Sequence, residues 1–390
     1  MPSADNNDDI LYIDSPDALA SLCEQLKGNT WLCLDTEFIR EKTYYPQLCL
    51  IQVSTPDIIA CIDPLAIKDL SPLSSLLADP GVNKVFHAAS QDLELFYHLN
   101  ETVPAPLFDT QVAASLMGLG DQIGYAGMVK EMLGVSLDKS HSRTDWSQRP
   151  LEPEQIRYAA DDVRYLRDCY LQQLQWLTEK DRLDWLEDDF AKLTDPDRYQ
   201  PVPENTWMRV KGIQKLRPQH LVVLKALAAW RENRAISSNR PRRWILKDEV
   251  LFEMARRSPK RVEELSRVRG LEERQISKHG EEWIQLIDQA QQLPKSEWPE
   301  LASRKRLSPE QETIADLLMA GLRLFAQEAS ISPQAIATRK DIEALVSGNR
   351  ELGLLQGWRM ELVGRELLDL LDGRSGLTIE NGAVCRLTVI

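Results

Sequence analysis

The first half of the chain alternates short apolar runs with amphipathic stretches. "WLCLDTEFIR" (31–40), "LCLIQVS" (48–54) and "IIACID" (58–63) read as strands. Thr55-Pro56-Asp57 between the last two predicts a β-hairpin turn. A helix follows near 70–78, then the short strand "KVFHA" (84–88), a helix over about 90–99, the strand-like "PLFDT" and a helix beginning near Thr110. "LEPEQIRYAADDVRYLRDCYLQQLQWL" reads as one long helix with Pro153 in its first turn, where a missing N–H costs nothing. This alternation predicts an α/β domain over 1–200.

At "DPDRYQPVPENT" (195–206) Pro, Asp and Asn mark a linker, and the β signals stop there. Residues 207–293 carry only helical periodicity, with "SRVRGLEERQISKHGEEWIQLI" reading as helix, glycine turn, helix. A second break runs over 293–311 and closes on the capping box Ser308-Pro309-Glu310-Gln311. A further helical unit is expected over 300–376, with turns at Ser332-Pro333 and Gly348-Asn349, followed by a tail at 377–390.

Composition narrows the class. Six scattered cysteines with no C-x-x-C pair point to reduced thiols and to neither zinc nor disulfides. The polar, acidic start and the lack of an uncharged apolar run of roughly 18 residues predict a soluble, cytoplasmic protein. The net charge of −13 argues against a polyanionic partner until the chain is divided. Residues 1–200 hold 16 basic against 34 acidic side chains, residues 201–293 hold 19 against 12, and residues 294–390 hold 12 against 14. The middle segment is thus +7, either a phosphate-binding surface or a solvated face.

The candidate chemistry begins with Asp35 and Glu37. Side chains two apart on a strand share a face about 6.6 Å apart. Alone, such a pair leaves two readings open: a solvated strand end, with Glu37 paired to Arg40, or a site that receives cations. Asp92 lies in the first turn of the helix after "KVFHAAS", where Ser90 can cap and the helix dipole favours an anion. In the long helix Tyr158 and Asp162 are one turn apart on one face, while Asp161 is rotated about 100° away. Four carboxylates around a cleft suit hard divalent cations.

In this order the residues resemble the DEDD exonucleases. Asp35-Thr36-Glu37-Phe38 corresponds to the first motif, the region around Asp92 to the second, and Tyr158 with Asp162 to the Y-x-x-x-D form of the tyrosine subclass. With "TYYPQLCLIQ" (43–52) and "RTDWSQRPL" (143–151), the chain is similar to the ribonuclease D family over nearly its whole length. The resemblance implies an α/β ribonuclease H-like domain with a mixed sheet flanked by helices. It also implies distributive 3′→5′ removal of nucleotides as 5′-monophosphates from RNA, notably tRNA precursors with a single-stranded 3′ end. Two divalent cations, Mg²⁺ or Mn²⁺, would be held by Asp35, Glu37, Asp92 and Asp162, with Asp35 shared and Tyr158 orienting the attacking water. The same chemistry on DNA and a non-catalytic RNA-binding adaptor are the alternatives, and no obligate protein partner is expected.

Residues 227–259 resemble the HRDC domain through Trp230-Arg231, Asn239-Arg240-Pro241-Arg242 and Asp248, so two all-α HRDC-type domains are expected, the second diverged. His87, Gln91, Lys139 and Arg143 are candidate contacts to the scissile phosphate or terminal nucleotide. Arg240, Arg242 and Arg243 are candidate RNA contacts beside Trp244, which is either a base platform or core. Asp109 reads as an N-cap, Asp145 as a partner for a nearby arginine, and "GLGDQIG" (118–124) lacks the spacing of a phosphate loop.

Overall fold

A computed structural model describes residues 10–138, 141, 144–301 and 306–388. The chain forms two compact units. One combines residues up to Phe38 with 48–199 and the segment beyond 305; the other combines 39–47 with 200–304.

The first unit is built on strands β1 (Ile10–Ile13), β2 (Trp31–Ile39), β3 (Gln47–Ser54), β4 (Ile59–Ile62), β5 (Asn83–Phe86) and β6 (Leu107–Asp109), in the order β1-β4-β3-β2-β5-β6. β1 pairs with β4, β2 with β5 and β5 with β6 in parallel, whereas β3 and β4 form the expected antiparallel hairpin. The mixed sheet therefore agrees with the α/β expectation. Its helices are α1 (Pro16–Leu26), α2 (Ser71–Leu77), α3 (Ser90–Asn100), α4 (Thr110–Leu116), α5 (Tyr125–Leu133), α6 (Pro153–Glu179) and α7 (Glu187–Thr194).

Both faces of the central strands are buried, which is why β2 reads as a continuous apolar run rather than an alternating one. Leu32 and Leu34 pack with Leu93 and Phe96 of α3, whereas Cys33 faces Val163, Leu166 and Cys169 of α6. α6 starts on a capping box between Glu152 and Gln155, with Pro153 at the start. Two groups nearby are buried but compensated. Lys84 donates to the carbonyls of Asp79, Val82 and Ala105, and burial pulls its ammonium down to about 8. Asp63 accepts from Tyr12 and Arg149.

The second unit holds α8 (Pro218–Ser238), α9 (Arg242–Ile245), α10 (Asp248–Arg257) and α11 (Glu273–Gln292) around Leu224, Leu227, Leu251 and Trp283. Arg231, buried in α8, pairs with Asp248 at 2.6 Å. The connection after β2 folds with these helices. The Tyr44 and Tyr45 amides donate to Asn239 Oδ1, and the Tyr44 hydroxyl donates to Glu232.

The last helices, α12 (Pro309–Glu328), α13 (Pro333–Ile336), α14 (Arg339–Val346), α15 (Gly357–Arg359) and α16 (Arg365–Leu371), belong to the first unit. Leu318, Leu322, Phe325 and Leu367 share one core with Val163 and Leu166 of α6. Trp185 and Trp358 stack at 4.6 Å, the Arg182 guanidinium donates to Ala329 O, and Arg359 pairs with Asp189. The glycine-rich stretch after α4 is a docking loop. Ser332 donates its amide to Ser115 O, and Gly120 donates to Ser332 Oγ. Gly118 has φ +73° and a Cβ there would lie 3.2 Å from Ser330 O, so only glycine fits without strain. Ser308 caps α12 as expected. Most of the stretch expected as a tail forms a hairpin of β7 (Ser375–Glu380) and β8 (Ala383–Thr388), because Asn381-Gly382 supplies the two positive-φ residues of a tight turn. No helix among the described residues is long and apolar enough to cross a membrane.

Candidate active site

After Leu34 the alternation of β2 brings Asp35 and Glu37 to the face covered by α6, which is fixed there by Ser54 Oγ donating to Val163 O at 2.8 Å. Asp162 of α6 meets them. One carboxylate oxygen from each of Asp35, Glu37 and Asp162 lies within 4.8 Å of the other two. Asp161 is turned off this face and pairs with Arg164 at 3.2 Å.

Thr36 points the opposite way, toward the α3 layer, and its hydroxyl donates to Asp92 Oδ1 at 2.5 Å. Asp92 is 7% exposed. The acidic group is therefore assembled from both layers at one end of the sheet, with β2 between them. Thr36 stood in the first motif without a role, and no local signal gives it one, since its partner is reached only through the fold.

Removal from water dominates the electrostatics. It holds the Asp35 carboxyl well above its ordinary range, reinforced by the charges of Asp92, Asp162 and Glu37. Burial, then Asp162 and Asp92, raises Glu37 to about 8. Burial raises Asp92 to about 7 against the opposing Thr36 hydrogen bond, and raises Asp162 to about 7 with help from Asp161. The charges that shift the trio are all those of neighbouring carboxylates. The donor set, all carboxylate oxygens in a low-dielectric pocket, fits a hard divalent cation.

Tyr158, one turn before Asp162, is half-buried against the rings of Trp146 and His141. Burial and the charges of Asp162, Glu37 and Asp35 raise its hydroxyl, keeping it a neutral donor. A cleft of about 350 Å³ opens here, bounded by Tyr125, Asp138, His141, Arg157, Tyr158 and Asp162.

The other candidates have mixed placements. His87 uses one ring nitrogen on Thr110 Oγ1 and the other on Ile123 O, each at 3.0 Å. Gln91 is exposed on the first turn of α3 beside Asp92. Lys139 and Arg143 lie outside the described residues. Asp109 caps α4 as expected. It also accepts from the amides of Ala88 and Ala89 just before α3, whose first turn has no side-chain cap although the sequence offered Ser90 for it. Ser90 is already inside that helix and accepts from Arg198 instead. Asp145 accepts from Ser147 and Gln148, while Arg149 is the arginine that pairs with Asp63.

In the second unit the part-exposed Arg242 is committed to the buried Glu232 at 2.5 Å, with its guanidinium over the Tyr44 ring. Arg240 and Arg243 are exposed, Arg243 lying 4.0 Å from Glu249. Trp244 is 59% exposed, so its ring is a surface platform and not core.

Residues 10–175 match a family described as 3′-5′ exonuclease, and residues 220–287 match the HRDC domain. The ribonuclease D of Sphingobium indicum is 42% identical over 93% of this chain and 95% of its own length. The chain belongs to the ribonuclease D family. The ribonuclease D of Bartonella henselae is 40% identical over 92% of this chain and 89% of its own. The crystal structure of Escherichia coli RNase D, an exoribonuclease involved in structured RNA processing, superposes with a TM-score of 0.80 at 35% identity. It covers 94% of this chain and 99% of that one. Ribonuclease D membership makes the chain a 3′→5′ exoribonuclease, with an α/β exonuclease domain and a helical C-terminal region.

Proposed function

We propose that the chain shortens RNA from its 3′ end by two-metal hydrolysis, releasing nucleoside 5′-monophosphates, and that its substrates are tRNA precursors with a single-stranded 3′ end. The convergence of Asp35, Glu37 and Asp162 within 4.8 Å is the observation that carries this reading.

In it, Asp35, Glu37 and Asp162 hold one divalent cation, Mg²⁺ or Mn²⁺, and Asp35 is shared with a second cation supported by Asp92. Such a pair, when bound, stabilises charge on the attacking and leaving oxygens and makes water more acidic. Thr36 fixes the Asp92 carboxylate by its hydroxyl. Tyr158 stays protonated and orients the attacking water, donating or accepting at its Oη. The half-buried cleft beside Asp162 receives the terminal nucleotide. Exposed Arg240 and Arg243 neutralise backbone phosphates of the incoming strand, and Trp244 offers a face for a base. These arginines explain how an acidic protein holds a polyanion.

The test uses 5′-labelled RNA and DNA of one sequence with Mg²⁺, Mn²⁺ or EDTA. A ladder shortening from the 3′ end on RNA, abolished by EDTA, is expected. Internal cleavage or turnover in EDTA overturns the mechanism, and equal ladders on DNA overturn the substrate class.

A further inference from the structure

Gln52, in the middle of β3, is completely buried, and neither its amide nitrogen nor its amide oxygen has a hydrogen-bond partner among the described residues. Leaving a buried polar group unsatisfied is costly, and a leucine or methionine would fill the same space without that cost. Other buried side chains, such as Gln173 and Trp283, leave one polar atom unpartnered, whereas Gln52 leaves both atoms of its amide so.

Its neighbours fix where the amide lies. Ser54, two residues on and so on the same face, donates to Val163 O of α6. Cys61, the Cα partner of Gln52 in β4, has its thiol 3.9 Å from Ile156 O of α6. Gln52 therefore faces the stretch of α6 between Ile156 and Val163, which carries Tyr158 and Asp162.

The other flank is β2. The connection 40–46 is too short for a parallel crossover, so β2 and β3 run antiparallel. Cys33 and Ser54 both face Val163 of α6, so the odd-numbered residues of β2 and the even-numbered residues of β3 share that side of the sheet. Asp35 and Glu37 of β2 therefore lie on the same face of the sheet as Gln52 of the adjacent β3. The unpartnered amide thus shares with these two carboxylates the side of the sheet that Asp162 of α6 covers.

We propose that Gln52 is a positioning residue for the cation site, its amide N–H donating to the Asp35 carboxylate when a divalent cation is bound among Asp35, Glu37 and Asp162. The inference rests on the cation reading above. A neutral donor suits this position. Lysine or arginine there would neutralise the trio and compete with the cation, whereas an amide orients Asp35 without adding charge. Thr36 serves Asp92 in the same manner from the other layer. Outer donors of this kind typically change cation affinity by about 10–100-fold.

Mn²⁺ is titrated calorimetrically into the full chain and into its Gln52→Leu and Gln52→Met variants, with melting temperatures recorded in EDTA. Both variants should melt at or above the wild-type temperature in EDTA, because an unpaired amide has been replaced by apolar groups of similar size. Both should bind Mn²⁺ about 10–100-fold more weakly. Affinity within twofold of wild type in either folded variant overturns the proposal. So does a large fall in EDTA melting temperature for both variants, which would mark Gln52 as a packing residue. Absence of Mn²⁺ binding that Asp35→Asn abolishes in the otherwise wild-type chain would instead sink the cation reading, separating the two failures.

Discussion

Glu232 and Asp35 are both carboxylates taken out of bulk water, and the chain treats them oppositely. Burial alone would raise Glu232, yet hydrogen bonds from Arg242 and Tyr44, with the charges of Arg242 and Arg231, bring it below its ordinary range. Around Asp35 the charges of Asp92, Asp162 and Glu37 all share its sign, and three of the four carboxyls are pushed to about 7 or 8, with Asp35 higher than its own usual range. The first cluster is complete as it stands and fixes a loop onto a helix. The second is completed only from outside. A buried ionised group with its counter-charge present reads as architecture; one without reads as a place where something binds.

The sharpest way to break this contrast is to disarm the second cluster. Asp35→Asn should lower 3′→5′ turnover by more than about a hundredfold, since it removes a ligand rather than an outer contact; persistent turnover on labelled RNA would exclude Asp35 from the site. Arg242→Ala does the reverse, stranding Glu232. A buried pair broken on one side costs about 3–5 kcal/mol, and the part-exposed Arg242 points to the lower end of that range. The loss should appear as faster hydrogen exchange at α8 amides, and unchanged protection there would remove the contrast.

A smaller effect is expected from pH. The acidic group holds its protons to higher pH when folded than when unfolded, so between about pH 4 and 8 the unfolded chain carries fewer protons and stability must fall as pH rises. Melting temperature in EDTA should decline across that window, and Mg²⁺ should restore it most at the alkaline end. Asp35→Asn should flatten the decline. The smallest change concerns Arg243, the neighbour of Arg242 with no buried partner. Arg243→Ala should leave stability within about 0.5 kcal/mol, because its ion pair with Glu249 is exposed, while lowering the salt dependence of RNA binding by about one unit of slope. An unchanged slope would return that arginine to a solvated face.

Asp35, Glu37, Asp162 and Tyr158 were legible because strand and helix periods place them by local arithmetic, two residues apart on β2 and four apart on α6. Asp92 was legible as a first-turn acid. The role of Thr36 was not, because its partner Asp92 lies 56 residues away in the chain, and neither was Gln52, whose place beside the site depends on how the strands pair. The strands were readable from apolar runs buried on both faces, but that same continuity hid Gln52 within "LCLIQVS". Nor does any local pattern reveal that residues 39–47 fold with a helical module two hundred residues later. The shared core of α6 and α12 is equally silent in the periodicity of either helix, since an apolar stripe does not name its partner.

That shared core also orders events during synthesis. A unit that begins at the first strand and is completed only by helices beyond residue 305 cannot close until most of the chain has left the ribosome, whereas most of the unit between them emerges whole beforehand. α6 must therefore wait with the apolar surface that α12 covers still open, and loss of the helices beyond residue 305 would leave that surface for chaperones or proteases to find.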